Sequence, residues 1–124
     1  MEINFEVEDI IEIHDEIIRE FGGDEGIVSI SSLDFILDYA KTNTYNDDFF
    51  TILAKILQAI TIDHPFVDGN KRTGIVVIEA ILEDNGLILS LDEKMKEEFI
   101  LDVAKLHYTL ENLKIFLVEN TDKF

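Results

Sequence analysis

The run His64-Pro65-Phe66-Val67-Asp68-Gly69-Asn70-Lys71-Arg72-Thr73-Gly74 concentrates side chains that can do chemistry. An imidazole, with a solution pKa near ~6.5, can take a proton from a hydroxyl at neutral pH. Pro65 forbids a regular helical continuation and biases His64 towards an extended backbone, which lifts the His64 ring out of any helix before it. A polar, glycine-containing loop that opens into a helix is a natural anion site, because free N–H groups and the positive end of the helix dipole face its occupant. Phosphate is the obvious occupant. Gly69 and Asn70 are expected to give backbone N–H groups to that anion hole, and the Asn70 amide can hold either the loop or a phosphate. Arg72 carries a planar fork suited to phosphate. A carboxylate beside a phosphate makes sense when a cation bridges the two, so Asp68 implies Mg²⁺.

Each of these residues also has a plainer explanation. His64 can hydrogen-bond a carbonyl at a helix end, and Asp68 can answer the helix dipole. Lys71 and Arg72 can balance an acidic surface. Two adjacent cations at a helix start oppose the dipole, however, and the chain has only 10 Lys and Arg against 27 Asp and Glu. Ligand binding accounts for them better.

The elements that position this loop are helices. Apolar residues at helical spacing, Ile10, Ile13, Ile17 and Phe21, predict a helix from about Val7 to Phe21, stopped by Gly22-Gly23. Asp24 to Ile30 is a loop with a short extended piece over Ile27–Ile30. Ser31 with Asp34 three residues later predicts a capped helix to about Ala40, with Leu33, Ile36 and Leu37 inward. After a polar turn, a third helix runs from about Asp48 to Ile62 and buries Phe50, Leu53, Leu57 and Ile60. The motif helix runs from Asn70 to about Asn85 and is closed by Gly86. Asp92 caps a fifth helix through Lys105, and Thr109 caps a sixth through about Asn120. Strand signals are short and weak, so the expected class is all-α.

A chain of 124 residues is one domain by length, and its 47% apolar content supports a packed core. Without cysteine, disulfides and thiolate metal sites are excluded. No apolar run approaches the ~20 residues of a membrane span, and the first residues lack a basic region followed by an apolar one, so the expected location is cytoplasmic. A net charge of −17 argues against direct nucleic-acid binding, which needs a cationic stripe.

The motif resembles the signature of the Fic/Doc family, roughly H-x-F-x-[D/E]-[G/A]-N-[G/K]-R. The segment Ile10-Ile11-Glu12-Ile13-His14-Asp15, running on to Phe21-Gly22-Gly23 and Gly26, is similar to the first helix and turn of death-on-curing proteins. Asn85-Gly86 also matches them. The resemblance implies one Fic/Doc-type helical domain over residues 1–124, with about six helices and the active loop between two central ones. It implies that His64 is the base that deprotonates a target hydroxyl, with Pro65 and Phe66 supporting the loop and Asp68 binding Mg²⁺. Gly69, Asn70, Lys71 and Arg72 are then the ATP phosphate cradle. Lysine at position 71 is the Doc-like variant, and AMP-transferring members usually carry glycine there. Lys71 therefore implies transfer of the γ-phosphate to a protein, such as the translation factor elongation factor Tu. The alternatives are AMP transfer on the same fold and an inactive interaction module.

Other positions are less informative. Thr44 and Tyr45 lie where family members hold a flap against the target. No self-inhibitory helix pattern is present, which implies control by a separate Phd-like antitoxin that folds on binding. For His14-Asp15 and His107-Tyr108, a structural role is expected over catalysis. Two departures from the family pattern stand out: Ile27-Val28-Ser29-Ile30 follows the first turn, where death-on-curing relatives often carry an arginine and glycines, and Asp63 places a negative charge directly before His64.

Overall fold

A computed structural model describes all 124 residues. The order of elements is α1 (Val7–Phe21), α2 (Ile30–Thr42), α3 (Phe49–Thr61), α4 (Asn70–Asp84), β1 (Leu87–Leu89), α5 (Glu93–Ala104), α6 (Leu110–Glu119) and β2 (Thr121–Lys123). The class is all-α, as the periodicity predicts, and the six helices start or stop within two residues of the expected bounds. The exception is a two-stranded antiparallel ribbon, in which Leu87 faces Lys123 and Leu89 faces Thr121. Its strands are three residues each, too short to leave a readable alternation.

Helix α3 is apolar almost all round and therefore sits at the centre, packed against α2, α4, α5 and α6. Ile52, Leu53, Ala54, Ile56, Leu57 and Ile60 are buried, each large side chain contributing roughly 1.5–3 kcal/mol. Phe50, expected inside, is only half-buried. Every helix and β1 adds residues to one hydrophobic cluster, from Ile10 in α1 to Leu117 in α6. Close approach of α3 and α4 depends on Gly74, where a Cβ would lie 2.7 Å from Thr61 Oγ1 and 3.2 Å from Leu57 Cδ1.

The caps are local and follow the sequence. Asp48, Asp92 and Thr109 accept the N–H of Thr51, Met95 and Asn112 at the starts of α3, α5 and α6. For α2 the cap is Ser29 and not Ser31. Ser29 Oγ accepts the Ser32 N–H at 3.2 Å, and the helix begins one residue before Ser31. Any serine of this cluster can cap, and the earliest lengthens the helix by two residues. At the far end of α4, Asn85 ties down the N-terminal segment: Glu2 N–H donates to Asn85 Oδ1 at 2.9 Å, and Asn85 Nδ2 donates to Glu2 O at 2.8 Å. Phe124 N–H reaches Gly86 O at 3.3 Å. No helix is long and apolar enough to cross a membrane.

Candidate active site

The motif loop connects α3 to α4. Its first residue, His64, has φ +50°, so the expected extended backbone gives way to a left-handed one. The left-handed region also avoids the right-handed helical geometry that Pro65 forbids, and it turns the chain back across the end of α3. His64 is exposed, whereas Pro65 and Phe66 are buried. The Pro65 carbonyl accepts the N–H groups of Val28 (2.7 Å) and Ser29 (3.0 Å), and Val67 N–H donates to Gly26 O at 3.1 Å. Ile27 and Phe66 form an isolated antiparallel bridge. Of the extended piece read at Ile27–Ile30, Ile27 to Ser29 thus lie along the motif, and Ile30 already opens α2.

Asn70 resolves its two alternatives in favour of the loop. The side chain is buried, its Oδ1 accepts Phe66 N–H at 3.0 Å, and its Nδ2 donates to Phe66 O at 2.9 Å. The same Nδ2 lies 3.4 Å from His64 Nδ1, which makes Nδ1 the acceptor. A neutral His64 ring bonded in this way carries its proton on Nε2. The free lone pair is then on Nδ1, and accepting a hydroxyl proton on it requires breaking the Asn70 contact, a small step for a long bond on an exposed ring.

Gly69 caps α4 from a left-handed conformation (φ +76°) with no side-chain cap. The first helical bond is Thr73 N–H to Gly69 O at 3.0 Å. The N–H groups of Asn70, Lys71 and Arg72 therefore precede the ladder and point out of the helix start, an anion-binding arrangement. Gly69 N–H does not join them, contrary to expectation, because it donates to Asp68 Oδ1 at 2.8 Å. Asp68 Oδ2 accepts Asp24 N–H at 3.2 Å. These two backbone donors, Asp24 first, hold the Asp68 carboxyl below the usual carboxylate range, with smaller contributions from the charges of His14 and Lys71. Gly23 makes room for the arrangement, since its Cβ would lie 2.8 Å from Asp68 Oδ2.

Asp68 is thus an ionised, exposed hard ligand with about two of its four lone-pair positions still free. No group of three or more histidine, cysteine or carboxylate side chains converges on it or elsewhere. One carboxylate completed by substrate phosphates is a normal Mg²⁺ arrangement, so the donor set fits Mg²⁺ held together with a nucleotide.

Lys71 and Arg72 are both exposed. The Arg72 guanidinium stacks 3.9 Å from the centroid of the Phe21 ring. Phe21, the last of the apolar residues at helical spacing in α1, is 56% exposed and serves as this platform. The buried face of α1 is carried by Ile10, His14, Ile17 and Ile18. His14 spans to the motif, with Nε2 2.8 Å from Asp68 O. Phe21, Gly23 and His14 are the site neighbours that sequence reasoning did not assign to the site. The signal available was a lone histidine inside an apolar stripe. Thr44 and Tyr45 are displaced from the motif. Tyr45 is exposed, and Thr44 bonds only to Thr42. Both follow the C-terminal end of α2, about 20 Å along that helix from the Val28–Ser29 contact with the loop.

Three broad concavities have linings that include none of residues 64–74. One of about 640 Å³ runs along α1, with Ile13, Ile17 and Val76 in its lining and Glu12, Glu16 and Glu20 among its acids. Another, of about 750 Å³, borders the motif through Asp63 and includes Phe35 and Ile62. The third, of about 710 Å³, lies between the N-terminal segment and Asn43–Ile52.

A comparison with curated proteins finds no match. A family model described as Fic/DOC family matches residues 4–82, a span that includes α1 to α3, the whole motif loop and all but the last two residues of α4.

Proposed function

The chain belongs to the Fic/DOC family, whose members are typically transferases that modify proteins, and on that premise we propose that it is a Doc-like, ATP- and Mg²⁺-dependent protein kinase. The carrying observation is the position of Lys71. It is the second of three residues whose N–H groups open from α4, and its charge is felt at Asp68. A side chain there fills space next to the phosphate cradle, which favours presenting the γ-phosphate over the α-phosphate. Asn70 holds the Phe66 turn, Asp68 and the α4 start receive the phosphates, and Arg72 extends its fork from the Phe21 platform. His64 takes the proton of the target hydroxyl as its oxygen attacks the terminal phosphorus and ADP leaves. Mg²⁺ at Asp68 would neutralise phosphate charge during transfer. Phosphoryl transfer demands chiefly positioning and charge neutralisation, which a short motif can provide.

The target is a protein hydroxyl, with a translation factor such as elongation factor Tu the first candidate, and the setting is a cytoplasmic toxin–antitoxin pair. A basic, Phd-like antitoxin suits the acid-rimmed apolar groove along α1. Residues 83–124 pack on the same core, so residues 1–124 are treated as one Fic/Doc domain.

The test is to incubate the purified chain and His64→Ala with cell extract, Mg²⁺ and ATP labelled at the α- or the γ-phosphate. Protein label from γ alone, lost in the variant, is the expected result. Label from α would instead make the protein an AMP transferase. No label together with no ATP binding would leave an inactive interaction module.

A further inference from the structure

His14 is an imidazole buried to 1% exposure, with no part in the chemistry above. It sits in the apolar stripe of α1, where a leucine would fill the space without the desolvation cost of a polar ring. What the imidazole adds is its bonding. One face stacks on the Phe66 ring at 3.8 Å and 4°. Nε2 lies 2.8 Å from the Asp68 carbonyl oxygen. A carbonyl only accepts, so Nε2 carries a proton and the tautomer is fixed. On the other side, the Asp15 carboxylate lies 3.1 Å from Nδ1.

The neighbouring glycine lies in van der Waals contact with this ring. A Cβ at Gly69 would lie 3.6 Å from His14 Cδ2 and 3.2 Å from Ile18 Cδ1. The main chain of Asp68 is therefore held from α1, while its carboxylate is held by Asp24 and Gly69 N–H groups. The direction of an aspartate side chain follows its own peptide plane. We propose that His14 is a positioning residue for the candidate Mg²⁺ ligand: its Nε2–H bond to the Asp68 carbonyl fixes the direction in which the Asp68 carboxylate faces the phosphate site. The function served rests on the Mg·ATP reading above, whereas the fixing of the loop does not.

Two variants separate the donor from the ring. His14→Phe keeps the stacking and removes the donor. His14→Gln gives up the stacking, but its amide nitrogen reaches the place of Nε2. Mg·ATP binding is measured by calorimetry at several Mg²⁺ concentrations, and amide exchange at Gly69 and Asp24 by NMR. His14→Phe is expected to weaken Mg·ATP binding about tenfold, partly restored by more Mg²⁺, with faster exchange at both amides. His14→Gln is expected to stay within about threefold of the parent chain. The proposal is overturned if His14→Phe matches the parent in both measurements, or if His14→Gln loses more than His14→Phe, which would make stacking the whole role. Should His14→Phe not fold, His14→Leu replaces it, since it lacks a donor and fills the volume. If the parent chain binds no Mg·ATP, the kinase reading fails, and amide exchange alone decides the role of His14.

Discussion

Asn70 shows how little of a motif residue's role is visible in its type. Its amide spans the two backbone groups of Phe66, so Asn70→Ala leaves a buried donor and acceptor without partners. That loss should cost about 2 kcal/mol in urea unfolding and free His64 Nδ1 as well. A stability equal to the parent chain would mean that water replaces the amide. Gly23→Ala tests the neighbouring contact differently. The glycine has φ +122°, and a Cβ would collide with Asp68 Oδ2, so metal-nucleotide affinity should fall far more than the unfolding midpoint. Equal losses in both would move Gly23 from the site to the scaffold. Histidine, aspartate and arginine in the motif were legible from type and spacing, because their chemistry is intrinsic. The partners of His14 and Asp68 were not. The His14 bond closes over 54 residues of sequence and the Asp68–Asp24 bond over 44, and nothing local announces either.

Elements were easier to read than contacts, and α3 with α4 marks the boundary. The ends of α1, α3, α5 and α6 follow from a glycine or from capping side chains a few residues away, so they appear in the sequence. The packing of α3 on α4 does not. Gly74 in the first turns of α4 looks like a weak helical residue that alanine should improve by about 1 kcal/mol. Its buried neighbour Thr61 reverses the sign. Gly74→Ala should destabilise by about 1–2 kcal/mol through overpacking, and adding Thr61→Ala should recover part of the loss. Additive effects in that double-mutant cycle would show that the two residues do not meet. The ribbon of β1 and β2 escaped the pattern because its strands are three residues each and because, as with the His14 bond, they pair across a long stretch of sequence, the whole of α5 and α6.

Over the whole molecule the dominant quantity is charge. With a formal charge of −17, self-repulsion opposes the compact state, so raising NaCl from low concentration to about 0.1–0.15 M, where the Debye length is about 8–10 Å, should raise the melting temperature. A melting temperature that falls with salt would instead give the leading role to ion pairs. Asp48 is the pair to watch, because it caps α3 and meets Lys114 of α6 at 2.6 Å. The Lys114 ammonium first, and the Thr51 N–H next, pull its carboxyl from 3.8 to about 2. A depressed carboxyl stabilises the folded state above its unfolded value. That contribution should fade as pH falls from about 4 towards 2, and Asp48→Ala should flatten the stability profile in that window. The two chain ends meet on one feature, the Asn85–Gly86 turn, which holds both Glu2 and Phe124. That turn closes α4, and the motif loop opens it, so the two are separated by the 15 residues of the helix, or about 22 Å. A bead, dye or sensor surface attached through either terminus therefore grips the pole away from the loop and leaves His64 facing solution, where a large protein target can still reach it.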